Sequence, residues 1–284
     1  MMVDVKKYIP WWLKITAKIV LSRLPIEYNL WRKIHLFQCG YMNSTRYAYS
    51  VFTKHYQSVK IKRNFTCLEL GPGDTLFSAL IARALGSNKT FLVDVGDYAN
   101  HNMDLYKRMY EFLLKQGYSF KIDMTNLENM LDSCQAVYLT SGLTSLRKIP
   151  DNSIDMIFSQ AVLEHIKNRD FLSTLEELHR ILSLEGSCSH EIDLKDHLGG
   201  SLNNLRFSNL IWESDFFARS GFYTNRIMFE EMLRLFRKAG FQVQVSDKKS
   251  WTYLPVARNK LHSKFRKLPE QNLRIAGFTV ILTH

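Results

Sequence analysis

Short apolar segments alternate with amphipathic segments from Phe65 onward, and this alternation limits the possible folds more than any other feature of the sequence. The apolar segments predict strands at 65–70, 90–95, 136–140, 154–158 and 188–192. Helices are predicted between them at 76–85, 105–116 and 171–182. Strands that alternate with helices in this way form a parallel sheet with helices on both faces. We therefore predict a doubly wound α/β fold.

The alternation is interrupted after the fifth predicted strand. Residues 195–225 are polar and aromatic, and we expect them to form an insertion over the strand ends, where open α/β sheets bind ligands. A helix at 226–239 follows this insertion. Two further strands, at 241–246 and 277–283, then close the sheet.

The net charge of +11 is concentrated at the two ends of the chain. Residues 1–64 contain twelve Lys and Arg against two acidic residues, and residues 244–284 contain eight against two. Residues 65–243 instead contain eighteen basic and twenty-three acidic residues. We predict a basic helical extension at 1–64 and an α/β domain at 65–284. The basic ends indicate an anionic partner at one face, or alternatively a solvated basic surface.

Residues 10–25 predict a helix bounded by two prolines. A transmembrane span needs about 20 apolar residues, and this run is interrupted too often; Lys18 also makes it a poor signal peptide. Adjacent tryptophans on a basic helix, Trp11 and Trp12, suit an anionic membrane interface. They suit equally a helix that packs onto the protein's own core. We predict a cytoplasmic protein, which the first alternative would make peripheral at the inner face of the membrane.

The cysteines form no C-x-x-C pair, and none lies at zinc-ligand spacing from a pair of histidines. We predict free thiols in a reducing compartment, and no metal site. The four cysteines are Cys39, Cys67, Cys134 and Cys188.

The first predicted strand ends in Glu69-Leu70-Gly71-Pro72-Gly73, whose glycines let a ligand approach the backbone at the start of the next helix. Asp94 ends the second predicted strand, twenty-one residues after Gly73. A carboxylate there can accept hydrogen bonds from both hydroxyls of a ribose. Together, the loop and the carboxylate predict a nucleoside ligand.

This loop does not suit a dinucleotide. A dinucleotide site requires G-x-G-x-x-G, and Leu76 takes the place of the third glycine. Glu69 would also repel a pyrophosphate, whereas it suits a ligand that carries an ammonium and a sulfonium.

The segment from Cys67 to Asp94 resembles the first two motifs of class I S-adenosylmethionine-dependent methyltransferases, of the type 11/12-like group. Residues 146–166, with Leu-Glu-His near their end, are similar to the fourth-strand motif of that family. Residues 182–186 resemble its turn before the fifth strand, although the family usually has two glycines there. Residues 239–241 resemble its entry to the sixth strand. The resemblance covers 65–284, which identifies this part as the methyltransferase domain, with 195–225 as an acceptor-side insertion or lid.

The resemblance implies a seven-stranded sheet with an antiparallel last strand, and S-adenosylmethionine as the cofactor. By position, Glu69 and the loop of Gly71, Pro72 and Gly73 would hold the methionine part of the cofactor. Asp94 would hold its ribose.

The resemblance also places residues along the adenine and the sulfonium. Ser141, Gly142 and Leu143 would line the adenine, although many relatives have an aspartate there that this sequence lacks. Gln160, after the fourth strand, would face the sulfonium region.

Candidates for removing the proton of a hydroxyl acceptor follow the fifth predicted strand. Asp193 and His197 lie at or just beyond the strand end and are the catalytic candidates. In the alternative interpretation, Asp196 caps a turn and His197 packs locally. We expect His165 to make a hydrogen bond at a helix start rather than to act in catalysis.

The insertion is rich in aromatic side chains with polar neighbours, which suit a sugar ring or a flat organic acceptor. They suit equally a lid that packs on itself. The residues are Arg206, Phe207, Trp212, Phe216, Phe217, Phe222, Tyr223, Asn225 and Arg226.

The sequence thus predicts a methyltransferase that acts on a glycan or small-molecule hydroxyl, at a membrane surface if the first helix binds one. The alternatives are a lipid or quinone-like acceptor, and a cofactor-binding module without turnover. Leu76 disfavours a nicotinamide oxidoreductase. The negative charge of the middle segment argues against a nucleic-acid partner.

Overall fold

The computed structural model describes residues 10–21, 23, 42–59, 61 and 64–284. The strands in these ranges are β1 (Thr66–Leu70), β2 (Lys89–Val93), β3 (Ala136–Leu139), β4 (Ile154–Gln160), β5 (Leu182–Asp193), β6 (Gln242–Ser250) and β7 (Ile275–Thr283). Within the described residues they form one seven-stranded sheet in the order β3-β2-β1-β4-β5-β7-β6.

The first five strands run parallel, and β7 lies antiparallel between β5 and β6. Leu68 of β1 pairs with Phe91 of β2 on one side and with Ile157 of β4 on the other. The strand order therefore reverses at β1, and open α/β sheets bind ligands beside such a switch point. This topology confirms the predicted doubly wound sheet with an antiparallel last strand.

Helices cover the sheet on both sides. Leu68 and Ile157 pack in one core, and their strand neighbours Cys67 and Met156 pack in another, as the alternation of strand side chains requires. The helices are α1 (Trp11–Leu21), α2 (Thr45–Ser58), α3 (Phe77–Ala84), α4 (Met103–Lys115), α5 (Leu127–Ser133), α6 (Leu143–Leu146), α7 (Asn168–Ile181), α8 (Asn209–Trp212), α9 (Asp215–Ala218), α10 (Phe229–Lys238), α11 (Ser263–Arg266) and α12 (Glu270–Leu273). Short 3-10 turns lie at Leu163–His165, Asn203–Arg206 and Arg258–Lys260.

The helix α2 lies in the segment predicted as a basic extension, yet it shares a core with β1 and α3. Its buried face consists of Ala48, Val51, Phe52 and His55, which are spaced three or four residues apart. Phe52 packs edge-on against Phe158 of β4, with ring centroids 5.2 Å apart. The predicted boundary at residue 64 therefore follows charge rather than packing, and the division into 1–64 and 65–284 stays a prediction.

Several element boundaries differ from the sequence prediction, and the backbone explains two of these differences. β5 begins at Leu182 rather than at residue 188, because Leu182 already pairs with Ile154 of β4. Residues 182–186, which were expected to form a turn, are therefore part of the strand. α10 begins at Phe229 rather than at residue 226, because Arg226 has a φ of +56° and so lies outside the right-handed helical region.

The helix α1 packs onto the insertion. Ile15 is buried in a cluster with Leu198 and Trp212, and Trp11 meets Phe207 edge-on at a centroid distance of 6.0 Å. No helix among the described residues is both long and apolar enough to cross a membrane.

Several sequence predictions fall on residues that the structure does not describe. They are the helix end before Pro25, the basic residues at 1–9, 24–41, 60 and 62–63, and Cys39. The other three cysteines are buried free thiols.

Candidate active site

A glycine loop links β1 to α3 at the carboxyl edge of the sheet. Gly71 and Gly73 have φ values of +73° and +65°, which glycine adopts without strain. A β-carbon at Gly71 would lie only 2.6 Å from the side chain of Val162, so the space beside this backbone admits no larger residue. Gly71 N–H donates to the carbonyl of Val93 at 2.8 Å, which ties the loop to β2. Pro72, between the two glycines, is buried.

Asp94 connects the end of β2 with the glycine loop. Its Oδ2 accepts a hydrogen bond from Gly73 N–H at 3.0 Å, and its Oδ1 accepts one from Val95 N–H at 2.7 Å. The structure thus brings the predicted carboxylate and the predicted loop together. A carboxylate offers about four lone-pair sites, so acceptor positions are left for the two hydroxyls of a ribose.

Glu69 of β1 is a buried carboxyl next to Asp94. Burial raises its pKa to about 8, a hydrogen bond from Ser78 opposes that rise, and the negative charge of Asp94 adds to it. Its Oε2 has no protein hydrogen-bond partner in the described part of the chain. A ligand with positive charge would stabilise the ionised carboxylate and satisfy this oxygen. The buried carboxyl therefore fits S-adenosylmethionine, which carries an ammonium and a sulfonium.

The loop after β3 reaches the same edge of the sheet. Gly142 N–H donates to the carbonyl of Asp94 at 2.8 Å, so the two strand ends are joined. Gly142 is buried, Leu143 is half-buried at the start of α6, and Ser141 is exposed. The three residues predicted to line the adenine therefore lie beside the predicted ribose site.

Gln160 ends β4 and is held by a histidine that sequence reasoning missed. His55 Nε2 donates to Gln160 Oε1 at 3.1 Å, and His55 Nδ1 lies 2.7 Å from the hydroxyl of Ser189. Burial lowers the pKa of His55 to about 4, so the neutral ring accepts the Ser189 hydroxyl proton at Nδ1. The hydrogen bond from His55 Nε2 to Gln160 Oε1 fixes the orientation of the Gln160 amide. No sequence signal marked His55, because α2 itself was not predicted.

The carboxyl ends of β4 and β5 bring four titratable residues together, Glu164, His165, Asp193 and His197, here called the acceptor cluster. The rings of His165 and His197 meet edge-on at a centroid distance of 4.7 Å. Glu164 Oε1 accepts a hydrogen bond from Asp193 N–H at 3.2 Å. Both predicted catalytic residues are therefore present in one cluster, with two residues that the sequence did not assign to catalysis.

His165 does not make the expected bond at a helix start. The N-cap position of α7 is Lys167, and His165 Nδ1 instead donates to the carbonyl of Tyr223 in the insertion at 2.8 Å. This bond places the proton on Nδ1 and leaves Nε2 as an acceptor. Desolvation lowers the pKa of His165, although part of the residue reaches solvent.

The side chains of Asp193 and His197 differ in their electrostatic setting. The ring of His197 reaches solvent but is enclosed by protein on its other sides. This burial lowers its pKa to about 3, and the positive charges of Lys18 and Lys195 add to the shift. Asp193 lies 3.4 Å from the ammonium of Lys195 and accepts a hydrogen bond from its N–H at 2.9 Å.

The turn after β5 is organised by Asp196, as one interpretation of the sequence expected. Its Oδ1 accepts from Leu198 N–H at 3.1 Å, and its Oδ2 accepts from Asn203 N–H at 2.6 Å. This capping holds the backbone on both sides of His197.

Three members of the acceptor cluster lie at a spacing that a metal ion could bridge. Glu164, His165 and His197 present ligand atoms within 4.8 Å of one another. However, Lys18 donates to the carbonyl of His197 at 3.0 Å, and Lys195 adds a second positive charge beside the ring. These cations oppose a divalent ion, and the absence of a metal site stays a prediction from the sequence.

The aromatic residues of the insertion form a small core. Trp212 and Phe222 are fully buried, and Trp212 packs against Phe207 and Phe217 at centroid distances of 5.5 and 5.8 Å. Trp212 Nε1 donates to the carbonyl of Thr224 at 2.7 Å. Most of these rings therefore hold the lid together, as the second interpretation of the insertion expected.

Together, the switch point at β1, the glycine loop after it and the carboxylate at the end of β2 resemble the cofactor site of class I S-adenosylmethionine-dependent methyltransferases. Residues 68–189 match the family described as a methyltransferase domain. This match runs from within β1 into β5 and so includes the loop, Asp94 and the acceptor residues after β4.

Solved methyltransferase structures resemble this chain at low sequence identity. An S-adenosylmethionine-dependent methyltransferase from Archaeoglobus fulgidus is 13% identical with a TM-score of 0.46, covering 85% of this chain and 95% of that chain. One from Mesorhizobium loti is 12% identical with a TM-score of 0.45, covering 82% and 96%. A phosphoethanolamine N-methyltransferase from Haemonchus contortus, solved with phosphomonomethylethanolamine and S-adenosylhomocysteine, is 14% identical with a TM-score of 0.43, covering 81% and 51%. A search of curated proteins gave no match.

Proposed function

We propose that this methyltransferase transfers the methyl group to a hydroxyl of a glycan or of a small molecule. The acceptor cluster carries the proposal. Transfer to a hydroxyl requires a group that removes the proton, whereas an uncharged amine already offers a lone pair. Asp193 and His197 supply proton-accepting atoms at the strand ends, where open α/β sheets bind their ligands.

In this proposal, the residues around the glycine loop bind and orient the cofactor. Bound S-adenosylmethionine supplies an electrophilic methyl group on its sulfonium. Gly71 and Gly73 offer backbone that a ligand can approach closely, Glu69 offers a negative charge, and Asp94 offers acceptors for the ribose. Methyl transfer is an in-line displacement, so its rate depends on how the two reactants are positioned. These residues lie at strand ends whose positions are fixed by the neighbouring strands.

Two groups of the acceptor cluster can take the proton. His197 is neutral at physiological pH, because burial lowers its pKa to about 3, so a ring lone pair is available although the base is weak. The carboxylate of Asp193 is held by Lys195 and lies close enough to His165 to influence its ring. Asp193 and His197 both remain candidates for the base, and the turnover of variants at the two positions distinguishes between them.

The two alternative functions make different demands on the acceptor cluster and its surroundings. A lipid or quinone-like acceptor would need an apolar approach to the cluster, and the insertion carries the exposed apolar side chains of Leu210 and Phe216. A cofactor-binding module without turnover would need no acceptor cluster. The convergence of Asp193 and His197 beside the cofactor loop favours an enzyme.

We further propose that α1 and the insertion attach the enzyme to an anionic membrane surface. Ile15 faces the insertion, while Trp12 and Val20 on another side of α1 are each 56% exposed. Arg23 stacks on exposed Phe216, with its guanidinium carbon 3.9 Å from the ring centroid. Exposed tryptophan beside basic side chains is typical of interfacial helices. Packing on the core and binding a membrane are thus compatible, since they use different sides of one helix.

The function is tested by following the methyl group. The enzyme is incubated with methyl-labelled S-adenosylmethionine and fractionated cell envelope, with the Asp94→Ala variant as control. We expect the label in a glycan or small-molecule fraction as a methyl ether, which withstands alkali. Label on nitrogen or carbon would contradict transfer to oxygen, and no transfer to any fraction would favour the non-catalytic module.

A further inference from the structure

A small cavity lies between the 3-10 turn after β4, the end of β5 and the insertion. Its polar lining consists of Glu164, Asp193, Asn204, Thr224, Asn225 and Arg226. Two of these, Glu164 and Asp193, belong to the acceptor cluster, so the cavity adjoins the place where the acceptor is expected to react.

Three of the lining side chains carry a buried polar atom that has no protein hydrogen-bond partner among the described residues. These atoms are Glu164 Oε2, Asn204 Oδ1 and Arg226 Nε. The residues are only 1%, 2% and 6% exposed. Within the described ranges, three other buried side-chain atoms share this property, and none belongs to a residue that lines this cavity. Buried polar groups are normally hydrogen-bonded, so the gathering of three at one cavity indicates a polar ligand.

The other polar atoms of Glu164 and Asn204 are bonded, which fixes both side chains. Glu164 Oε1 accepts from Asp193 N–H at 3.2 Å. Asn204 Nδ2 donates to Thr224 Oγ1 at 3.0 Å, so its Oδ1 is the amide oxygen that lacks a partner. Neither side chain can turn to satisfy its free atom without breaking an existing bond.

Arg226 is held in the same way. Its terminal nitrogens donate to the carbonyl of Phe207 at 2.7 Å and to Asn209 Oδ1 at 2.8 Å. The guanidinium lies 5.2 Å from the ring centroids of both Trp212 and Phe265. Its backbone has a φ of +56°, an uncommon conformation that surrounding contacts must maintain. The insertion therefore fixes an arginine whose Nε–H has no protein hydrogen-bond partner among the described residues.

The chemistry of the three atoms selects the ligand. Arg226 Nε–H is a donor and Asn204 Oδ1 is an acceptor, and a hydroxyl both accepts and donates. Glu164 can pair with a second, neighbouring hydroxyl. A carboxylate or phosphate would place an oxygen against Asn204 Oδ1, which is an acceptor. An apolar group would leave all three atoms unsatisfied.

We propose that this cavity binds a hydroxyl of the acceptor that is not itself methylated, so that the enzyme selects molecules with adjacent hydroxyl groups, as in a sugar ring. The inference rests on the proposed transfer to oxygen and names the substrate class of that site. The bound hydroxyl lies beside Asp193, and its neighbour on the same ring is the group from which Asp193 or His197 takes the proton.

The experiment observes Arg226 Nε–H directly by NMR of the ¹⁵N-labelled full chain saturated with S-adenosylhomocysteine. The probes are trans-cyclohexane-1,2-diol, cyclohexanol and cyclohexanecarboxylate. We expect the Arg226 Nε–H signal to shift with the diol, to shift less with the single alcohol, and to stay in place with the carboxylate. The Nε–H groups of Arg180 and Arg234 donate to Glu177 and Glu231 at 2.7 Å outside the cavity, so their signals serve as internal references.

Matched variants show whether the cavity is responsible. Asn204→Leu removes the free acceptor and should raise the dissociation constant of the diol by about 10-fold. Asn209→Ala removes a partner of the same arginine that does not line the cavity, and the affinity should change by less than about 3-fold. If Asn204→Leu does not fold, Glu164→Gln replaces it, with the same expected loss of preference for the diol over the single alcohol.

An unmoved Arg226 signal at saturating diol would overturn the inference and indicate a structural water in the cavity. Equal shifts in the parent and in Asn204→Leu would overturn it as well. These outcomes do not depend on turnover. Labelled methyl found on nitrogen would instead overturn the proposed function, even with the diol bound.

Discussion

The side chain of Val162 lies against the α-carbon of Gly71, so that a β-carbon at Gly71 would approach Val162 Cγ2 to 2.6 Å. This contact joins the loop after β1 to the turn after β4. Val162 stands two residues before Glu164, and Ala161 before it has a φ of +54°. The cofactor loop and the acceptor cluster are therefore parts of one packed unit.

Gly71→Ala should lower the affinity for S-adenosylmethionine by about 10-fold or more, because the added methyl group collides with Val162 and strains a backbone of positive φ. Calorimetric titration measures the effect. Gly86→Ala is the matched control, since Gly86 has a φ of +89° but no atom within 4 Å of the added carbon. Equal affinities for Gly71→Ala and the parent would show that the loop does not bind the cofactor.

Glu69 should make the stability of the ligand-free enzyme fall as pH rises. Its folded-state pKa is about 8 against an ordinary 4.5, so the folded state binds the proton more tightly. The resulting stabilisation is complete below about pH 4.5 and is lost as pH rises through 8. Glu69→Gln stays neutral and should reduce this decline in urea denaturation between pH 7 and 8, while the part that remains comes from Glu164, whose pKa burial also raises to about 8.

Two buried histidines, His55 and His190, do not change the free energy of unfolding between pH 7 and 8. Burial lowers the pKa of His55 to about 4 and that of His190 to about 3, so their contributions are lost only as pH falls below about 6.5. An unchanged decline in Glu69→Gln between pH 7 and 8 would mean that Glu69 is ionised in the folded protein.

The sequence was sufficient for the central sheet and the cofactor loop, because strand periodicity and the residues around Gly71 are local signals. It was insufficient for α2, whose buried face includes an aromatic ring and a histidine rather than an aliphatic stripe. The bond from His55 to Gln160 joins residues 105 positions apart, and no local pattern announces it. The same holds for Tyr223, which orients His165 across 58 positions.

Asp193→Asn and His197→Ala should each lower kcat by about 10²-fold or more if their side chains take the acceptor proton. Affinity for S-adenosylmethionine should change little, because neither residue contacts the glycine loop. His101→Ala, which removes an exposed histidine paired with Asp97, is the control. Normal turnover in both variants would leave a mechanism by positioning alone, and loss of turnover on adding a chelator would point to a metal at Glu164, His165 and His197.

Attachment to a membrane should depend on the exposed side of α1. Trp12→Ala combined with Lys14→Ala should weaken binding to anionic vesicles by about 10-fold, since each interfacial lysine contributes about 1 kcal/mol. Tyr253→Ala is the control, because Tyr253 is 82% exposed on the connection between β6 and β7. Sedimentation with vesicles at low and high salt measures the effect. Parent protein that stays in the supernatant at low salt would rule out this attachment.

The cofactor site formed by the glycine loop and Asp94 is tested most directly by calorimetric titration with S-adenosylmethionine and with NADH. We expect S-adenosylmethionine to bind at one site, NADH not to bind, and Asp94→Ala to weaken binding of S-adenosylmethionine by about 1–3 kcal/mol, because ribose hydroxyls lose a charged partner. Binding of NADH with no binding of S-adenosylmethionine would contradict the account, as would an Asp94→Ala variant that binds S-adenosylmethionine as tightly as the parent.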